Sequence, residues 1–181
     1  MNVHAPKYAH AMYYLASSKN EELSDYEELC LVKASFDEFP EYFDFLKAES
    51  LSSNKRMASF DRVYKDEVSK YVLSFVKILI RDSMIACYDD IVAEYRRLLD
   101  DSMGIIRGIV YSAHEIDGER LEKISEKLSS RLGSKIDLTI KIDPSVIGGM
   151  KIFVKDTMID YSLDTRLESV KKKLHTSEKS A

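Results

Sequence analysis

Cysteine, proline and glycine are all scarce in these 181 residues, and each scarcity excludes something. Cys30 and Cys87 are the only cysteines, far apart and outside any CxxC or Cys/His spacing, so neither a disulfide framework nor a zinc site is expected. Two buried thiols in a reducing compartment are the expectation instead. Only 3 Pro and 6 Gly occur, and no Gly precedes Gly104, which suits long regular helices rather than a turn-rich sheet protein. No apolar run approaches the ~20 residues that span a bilayer. The longest, Val72 to Ile80, is broken by Ser74 and Lys77. The first residues, MNVHAPKYAHAMYYLASS, lack the basic start and continuous apolar core of a signal peptide.

Catalytic signatures are missing too. There is no GxxxxGK[ST] loop to cradle a nucleotide phosphate, and His114-Glu115 is followed by Gly118 where an HExxH motif needs its second His. His4, His10, His114 and His175 are scattered, and neither Cys lies in a nucleophile motif. No catalytic residue, metal ligand or cofactor is expected. The acidic pairs Asp89-Asp90 and Asp100-Asp101 read as solvated helix faces.

What is present is apolar and charged in the right proportions to fold. Apolar residues make up 45%, enough for a packed core, and charged residues 32%. The charge is uneven. Residues 1–103 carry 13 basic against 19 acidic side chains, net -6; the remainder carries 14 against 12, net +2. An acidic N-terminal half argues against nucleic acid or anionic membrane as a direct partner.

Along the first hundred residues apolar positions recur at helical spacing. Tyr8, Met12 and Leu15 mark a first helix that Pro6 opens, with Ala5, Ala9, Ala11 and Ala16 making it slim. Asn20 and Ser24 are candidate N-caps for a second helix, which carries Leu29, Val32, Phe36 and Phe39. Pro40 ends it and opens a short third one with Tyr42, Phe43 and Leu46 facing in. Ser50 to Asn54 reads as a loop, and Met57, Phe60, Val63 and Tyr64 mark a fourth helix. The fifth is the most apolar, with Val68, Val72, Phe75, Val76, Leu79 and Ile80 on one broad face. Such a face is either central to a bundle or half of a binding groove. Met84, Tyr88, Val92, Tyr95 and Leu99 continue into a sixth.

Near Gly104 the helical period is lost. Ile105 to Tyr111 is β-branched and strand-like. Asp117 is a candidate cap for a helix with a stripe of Leu121, Ile124, Leu128 and Leu132, which Gly133 would end. Ile136, Leu138, Ile140 and Ile142 alternate as a strand, followed by a Gly148-Gly149 turn and strands at Met150 to Val154 and Met158 to Asp160. Leu163, Leu167, Val170 and Leu174 would line a closing helix, with Lys171, Lys172 and Lys173 complementing its dipole. The expected fold is α+β: an N-terminal six-helix bundle over 1–104, then a small α/β domain over 105–181.

The run Asp143, Pro144, Ser145, Val146, Ile147, Gly148, Gly149, then Ile159, Asp160, Tyr161, Ser162, Leu163, Asp164, Thr165, Arg166 and Leu167, resembles the C-terminal signature of the delta subunit of bacterial F-type ATP synthases. The mitochondrial relative in that family is the oligomycin-sensitivity-conferring protein. Ile109 to Ala113, Leu121 to Leu132 and, at the N-terminus, Lys7 to Ala11 fit the same pattern. Tyr161, Asp164 and Thr165 depart from it, where the family commonly has Gly, a basic residue and Gly.

The resemblance implies a non-catalytic stator subunit, peripheral at the cytoplasmic face of the bacterial inner membrane. It implies two partners. The N-terminal segments of the alpha subunits would lie in a groove of the first and fifth helices, lined by Tyr8, Ala9, Met12, Val72, Phe75, Val76 and Leu79. The C-terminal ends of the b-type stalk would meet Ile159, Leu163, Leu167 and Val170. No nucleic acid and no direct membrane insertion are expected. The other reading is a generic helical adaptor that binds an amphipathic helix of some other protein.

Overall fold

A computed structural model describes residues 4–155, 157–163 and 165. Leu167, Val170 and Leu174, the three lysines of the expected closing helix, and Asp164 lie outside the described residues. The chain divides into two compact units between Leu99 and Asp100.

The first unit is a bundle of six α-helices. They are α1 (Ala5–Ser17), α2 (Glu22–Glu38), α3 (Pro40–Lys47), α4 (Ser53–Tyr64), α5 (Lys70–Arg81) and α6 (Tyr88–Ser102), with one 3-10 turn at Ile85–Cys87. Pro6 and Pro40 each sit in a first helical turn, where a missing N–H costs nothing. The spacing of Leu29, Val32 and Phe36 on α2, and of Val72, Phe75, Val76, Leu79 and Ile80 on α5, puts all of them in one core.

Tyrosines tie that core together from inside. Tyr88 donates its hydroxyl to the Leu29 carbonyl at 3.1 Å, and Tyr95 donates to the Glu22 carbonyl at 3.1 Å. Tyr64 bonds the Ser35 hydroxyl at 2.6 Å. Each lets a large ring be buried without stranding its polar tip, so burial is gained without a desolvation penalty. Phe36 stacks on Phe43 with ring centroids 4.7 Å apart and meets Tyr88 edge-on at 5.2 Å.

Several helix ends differ from the sequence reading. Helix α2 starts at Glu22, so Ser24 lies inside it, and Asn20 takes a left-handed φ of 59° in the preceding turn. Glu22 and Asp25 occupy the first turn, where negative charge suits the positive end of the helix. Ser53 and Asn54 belong to α4 rather than to a loop. Phe39 and Val63 are exposed because Phe39 forms the α2–α3 junction and Val63 lies on the outer side of α4. Val68 and Met84 fall in the turns flanking α5. Cys30 and Cys87 are only half-buried, short of the buried thiols the sequence suggested.

Among the described residues the second unit is a four-stranded sheet with one helix. Strands β1 (Ile105–Ser112), β2 (Lys135–Ile142), β3 (Met150–Val154) and β4 (Thr157–Asp160) lie in the order β2-β1-β3-β4. The β1–β2 pair is parallel, which requires the crossover that α7 (Gly118–Leu132) supplies. The other pairs are antiparallel. Val110, Ile136, Leu138, Ile152 and Val154 share a core with Leu128 of α7. Gly108, in the central strand, has no room for a side chain: a Cβ there would come 2.7 Å from Leu138 and 2.8 Å from Val154.

Gly133 ends α7 in the left-handed conformation, φ 67°, as its place after the helical stripe implied. Leu132, the last helical residue, is exposed rather than part of that stripe, since the chain turns away through Gly133 immediately after it. Asp117 takes the N-cap position through its carbonyl, which accepts from Arg120 and Leu121, and not through its side chain. Ile142, at the end of β2, is also exposed.

Candidate partner-binding surfaces

The residues expected to line a groove on α1 and α5 come together, but inside the molecule. Ala9, Val72, Val76 and Leu79 are fully buried, Met12 and Phe75 nearly so, and Tyr8 packs partly buried against the same core. The broad apolar face of α5 is therefore largely used by the bundle itself.

What reaches the surface beside these residues is a cleft of about 470 Å³ lined by His4, Lys7, Tyr8, Ala11, Asp82 and Met84. It joins the first turns of α1 to the end of α5. Tyr8 donates its hydroxyl to Asp82 at 3.2 Å, and Arg81 donates to the same carboxylate at 2.8 Å. That guanidinium holds the Asp82 carboxyl below its usual range, while burial and the Asp82 charge push the Tyr8 phenol up. Asp82 thus stays ionised as a fixed acceptor at the cleft rim. Lys7 and Ala11 are one helical turn apart on α1, and Asp82 is the first residue after α5, so both were visible as flanks of the apolar stripes. Nothing in the periodicity marked them as the exposed rim.

A second concavity, about 720 Å³, opens at the α2–α3 junction and was not foreseen. Phe39, Pro40, Tyr42 and Val63 line it together with Glu38 and Glu41. Its signal was the helix break at Pro40, which projects an aromatic residue that neither helix can cover.

In the second unit Ile159 packs partly buried on the sheet core, and Leu163 is 48% exposed. Leu163 lines a groove of about 780 Å³ with Ile124, Leu128, Met150 and Tyr161, bordered by Lys127 and Arg131 of α7. The glycine pair builds the floor of this region. Gly148 and Gly149 adopt φ of 75° and 82°, and Leu163 donates its N–H to the Gly148 carbonyl at 3.1 Å. A Cβ on Gly149 would collide with the Tyr161 backbone, so this close crossing admits only glycine. Ser162, 1% exposed, donates its N–H to Asp160 at 2.8 Å and locks the turn.

No cluster of three or more metal-ligating side chains occurs among the described residues. No helix among them is long and apolar enough to cross a membrane. What the geometry provides is apolar concavities with charged borders, suited to holding other polypeptide segments.

Comparison with known proteins gives a consistent answer. A family profile described as ATP synthase delta (OSCP) subunit matches residues 5–174. The ATP synthase subunit delta of Clostridium botulinum (strain Loch Maree / Type A3) is 31% identical over 170 residues, covering 92% of this chain and 93% of that protein. That of Alkaliphilus oremlandii (strain OhILAs) is 27% identical over 168 residues, covering 93% of each. Among solved structures, a chain of the Toxoplasma gondii mitochondrial ATP synthase hexamer shares the fold with a TM-score of 0.63 at 17% identity, over 96% of this chain and 98% of that one. The chain belongs to the ATP synthase delta (OSCP) subunit family, the non-catalytic stator subunits of the F-type ATP synthase.

Proposed function

We propose that this stator subunit ties the catalytic head to the peripheral stalk at the cytoplasmic face of the bacterial inner membrane. The helical unit would take the N-terminal segments of the alpha subunits, and the sheet unit the C-terminal ends of the b-type stalk. The rotor then turns against a head that is held still. The observation that carries this reading is that the family match runs from residue 5 to 174, across both compact units.

The work is tight binding, not chemistry. An amphipathic alpha-subunit helix laid along α1 and α5 would bury apolar surface at about 25 cal/mol per Å², offset in part by the cost of ordering the segment. Tyr8, Ala9, Met12, Val72, Phe75, Val76 and Leu79 form the wall behind this contact. Because most of them are already buried, the partner would meet the Tyr8, Ala11, Asp82 and Met84 rim first.

The burial changes how the site is tested. Ala9→Arg or Val76→Asp would put a charge into a fully buried position and unfold the bundle. Ala11→Arg, on an exposed position, keeps the core intact. Titration calorimetry of the full chain with a peptide from the N-terminus of the same organism's alpha subunit should give saturable one-to-one binding. Ala11→Arg should weaken it by about tenfold or more, near 1.4 kcal/mol, with an unchanged circular dichroism spectrum. A folded wild-type chain that fails to bind would remove the head contact and favour the generic adaptor. For the sheet unit, the described residues that would meet the stalk are Leu163, which lines the groove beside α7, and Ile159, which packs partly buried on the sheet core.

A further inference from the structure

The concavity at the α2–α3 junction shares no residue with the cleft of α1 and α5. Helix α2 ends at Glu38 and Pro40 opens α3, so Phe39 is left between two helices that cannot cover it. Phe39 is 56% exposed, and Val63 of α4, on the same cavity, 51%. Tyr42 and Tyr64 complete the aromatic part of the lining. Tyr64 donates its hydroxyl to Ser35 at 2.6 Å, and burial pushes both phenols up, so the rings stay neutral at physiological pH. A volume of about 720 Å³ is that of a binding site and more than one side chain fills.

The charged part of the lining has one sign. Glu38 and Glu41 supply two carboxylates, and no basic residue lines the cavity. Glu41 has a structural reason for its place, since it lies in the first turn of α3, where the helix dipole favours negative charge. Glu38 has none. It stands in the last turn of α2, whose dipole opposes an acidic residue, and that turn holds no basic side chain. Its neighbour Asp37 is answered by Lys33 at 3.1 Å, which also reaches Asp89 at 2.7 Å, so that lysine is engaged within the bundle. Neither Glu38 nor Glu41 forms an ion pair among the described residues, with Arg62, the residue before Val63, included.

Aromatic rings and unpaired carboxylates around one opening suit a cation that carries carbon beside its charge. We infer that this cavity is a docking site for a short basic segment of a polypeptide partner. Its arginine or lysine would reach Glu38 and Glu41 with the stem against Phe39, and its apolar neighbours would cover Pro40 and Val63. The open rim of Phe39 and Val63 favours a polypeptide over a lone small cation, because a single ammonium or guanidinium group would leave both side chains in water. This contact is independent of the alpha and stalk contacts, and adds a third attachment point to the helical unit.

The test uses the full chain, labelled with nitrogen-15, and two blocked helical peptides: one with a leucine stripe beside two arginines, the other with those arginines changed to glutamate. The arginine peptide should shift the amide signals of Glu38, Phe39 and Glu41, and raising salt from about 0.05 to about 0.5 M should lower its affinity several-fold. The glutamate peptide should bind about tenfold more weakly or not at all. Glu38→Lys should weaken the arginine peptide by about tenfold and recover binding of the glutamate peptide. Phe39→Ala, at an exposed position, should weaken the arginine peptide by a similar factor. Circular dichroism and the alpha-peptide affinity serve as folding controls. An arginine peptide that leaves the three signals unmoved, or that binds both variants as tightly as the wild type, overturns the inference. Acetyl-arginine amide bound as tightly as the whole peptide also overturns it, because the cavity would then serve a small cation.

Discussion

Asp25 is the residue where the fold works against itself. It lies in the first turn of α2 at 2% exposure, and burial, with Glu28 and Glu21 nearby, pushes its carboxyl up to about 6. The native state then holds a proton that the unfolded chain releases near pH 4. Native stability is therefore greatest below pH 4 as far as this group is concerned. It falls as pH rises from about 4 to about 6, and stays lower above that, by an amount on the order of 1–3 kcal/mol. Asp25→Asn should flatten this slope. Urea unfolding at pH 5 and pH 7.5 checks it: the wild type should lose more stability between the two than the variant, and equal losses would show that Asp25 is not the group responsible.

At the scale of elements, the start of α5 is held by two bonds of different kinds. The Ser69 hydroxyl accepts the Val72 N–H at 3.3 Å, capping the helix, while the Ser69 N–H donates to the Glu28 carboxylate of α2 at 2.7 Å. The cap satisfies one of the donors that every helix start leaves open, and the second bond ties α5 to α2 in the same residue. Ser69→Ala removes only the first and should cost about 1 kcal/mol, read as a lower urea midpoint at unchanged slope. A shift in slope instead would mean that the variant altered the packing of α5. A buried charge does a similar task at α3: Arg56, 3% exposed, donates to the Leu46 carbonyl at 2.7 Å in the last turn of that helix, where a cation also suits the dipole.

Across the whole molecule, the negative charge lies in the helical unit: residues 1–99 carry net -4 and residues 100–181 net 0. Each unit has its own core, and each offers its own apolar surface bordered by charge. A subunit that joins two bodies must hold both at once. Full chain mixed with the alpha peptide and the stalk segment should sediment as a one-to-one-to-one complex, each ligand binding with the affinity it has alone. Mutual displacement of the two ligands would sink the bridging role while leaving each binding event intact.

The elements themselves were written in local patterns. Helical spacing from Tyr8 to Leu99, alternation in Ile136 to Ile142, the prolines at 6 and 40 and the glycine at 133 act through neighbours within one turn or one strand, so they could be read without a partner in view. The Asp143 to Leu167 signature likewise carries the family because its glycines and turn residues serve a local chain crossing.

Long-range packing decided the rest. Periodicity shows that α5 has a broad apolar face, yet it cannot say whether a neighbouring helix or another protein covers it; the bundle took Val72, Val76 and Leu79 and left Tyr8, Ala11 and Asp82 to the rim. Pro40 shows where α2 ends, but only the packing of α4 brings Val63 and Tyr64 to one cavity with Glu38 and Phe39. Which apolar side chains a fold keeps and which it offers depends on the placement of residues distant in the chain, and no local spacing encodes that.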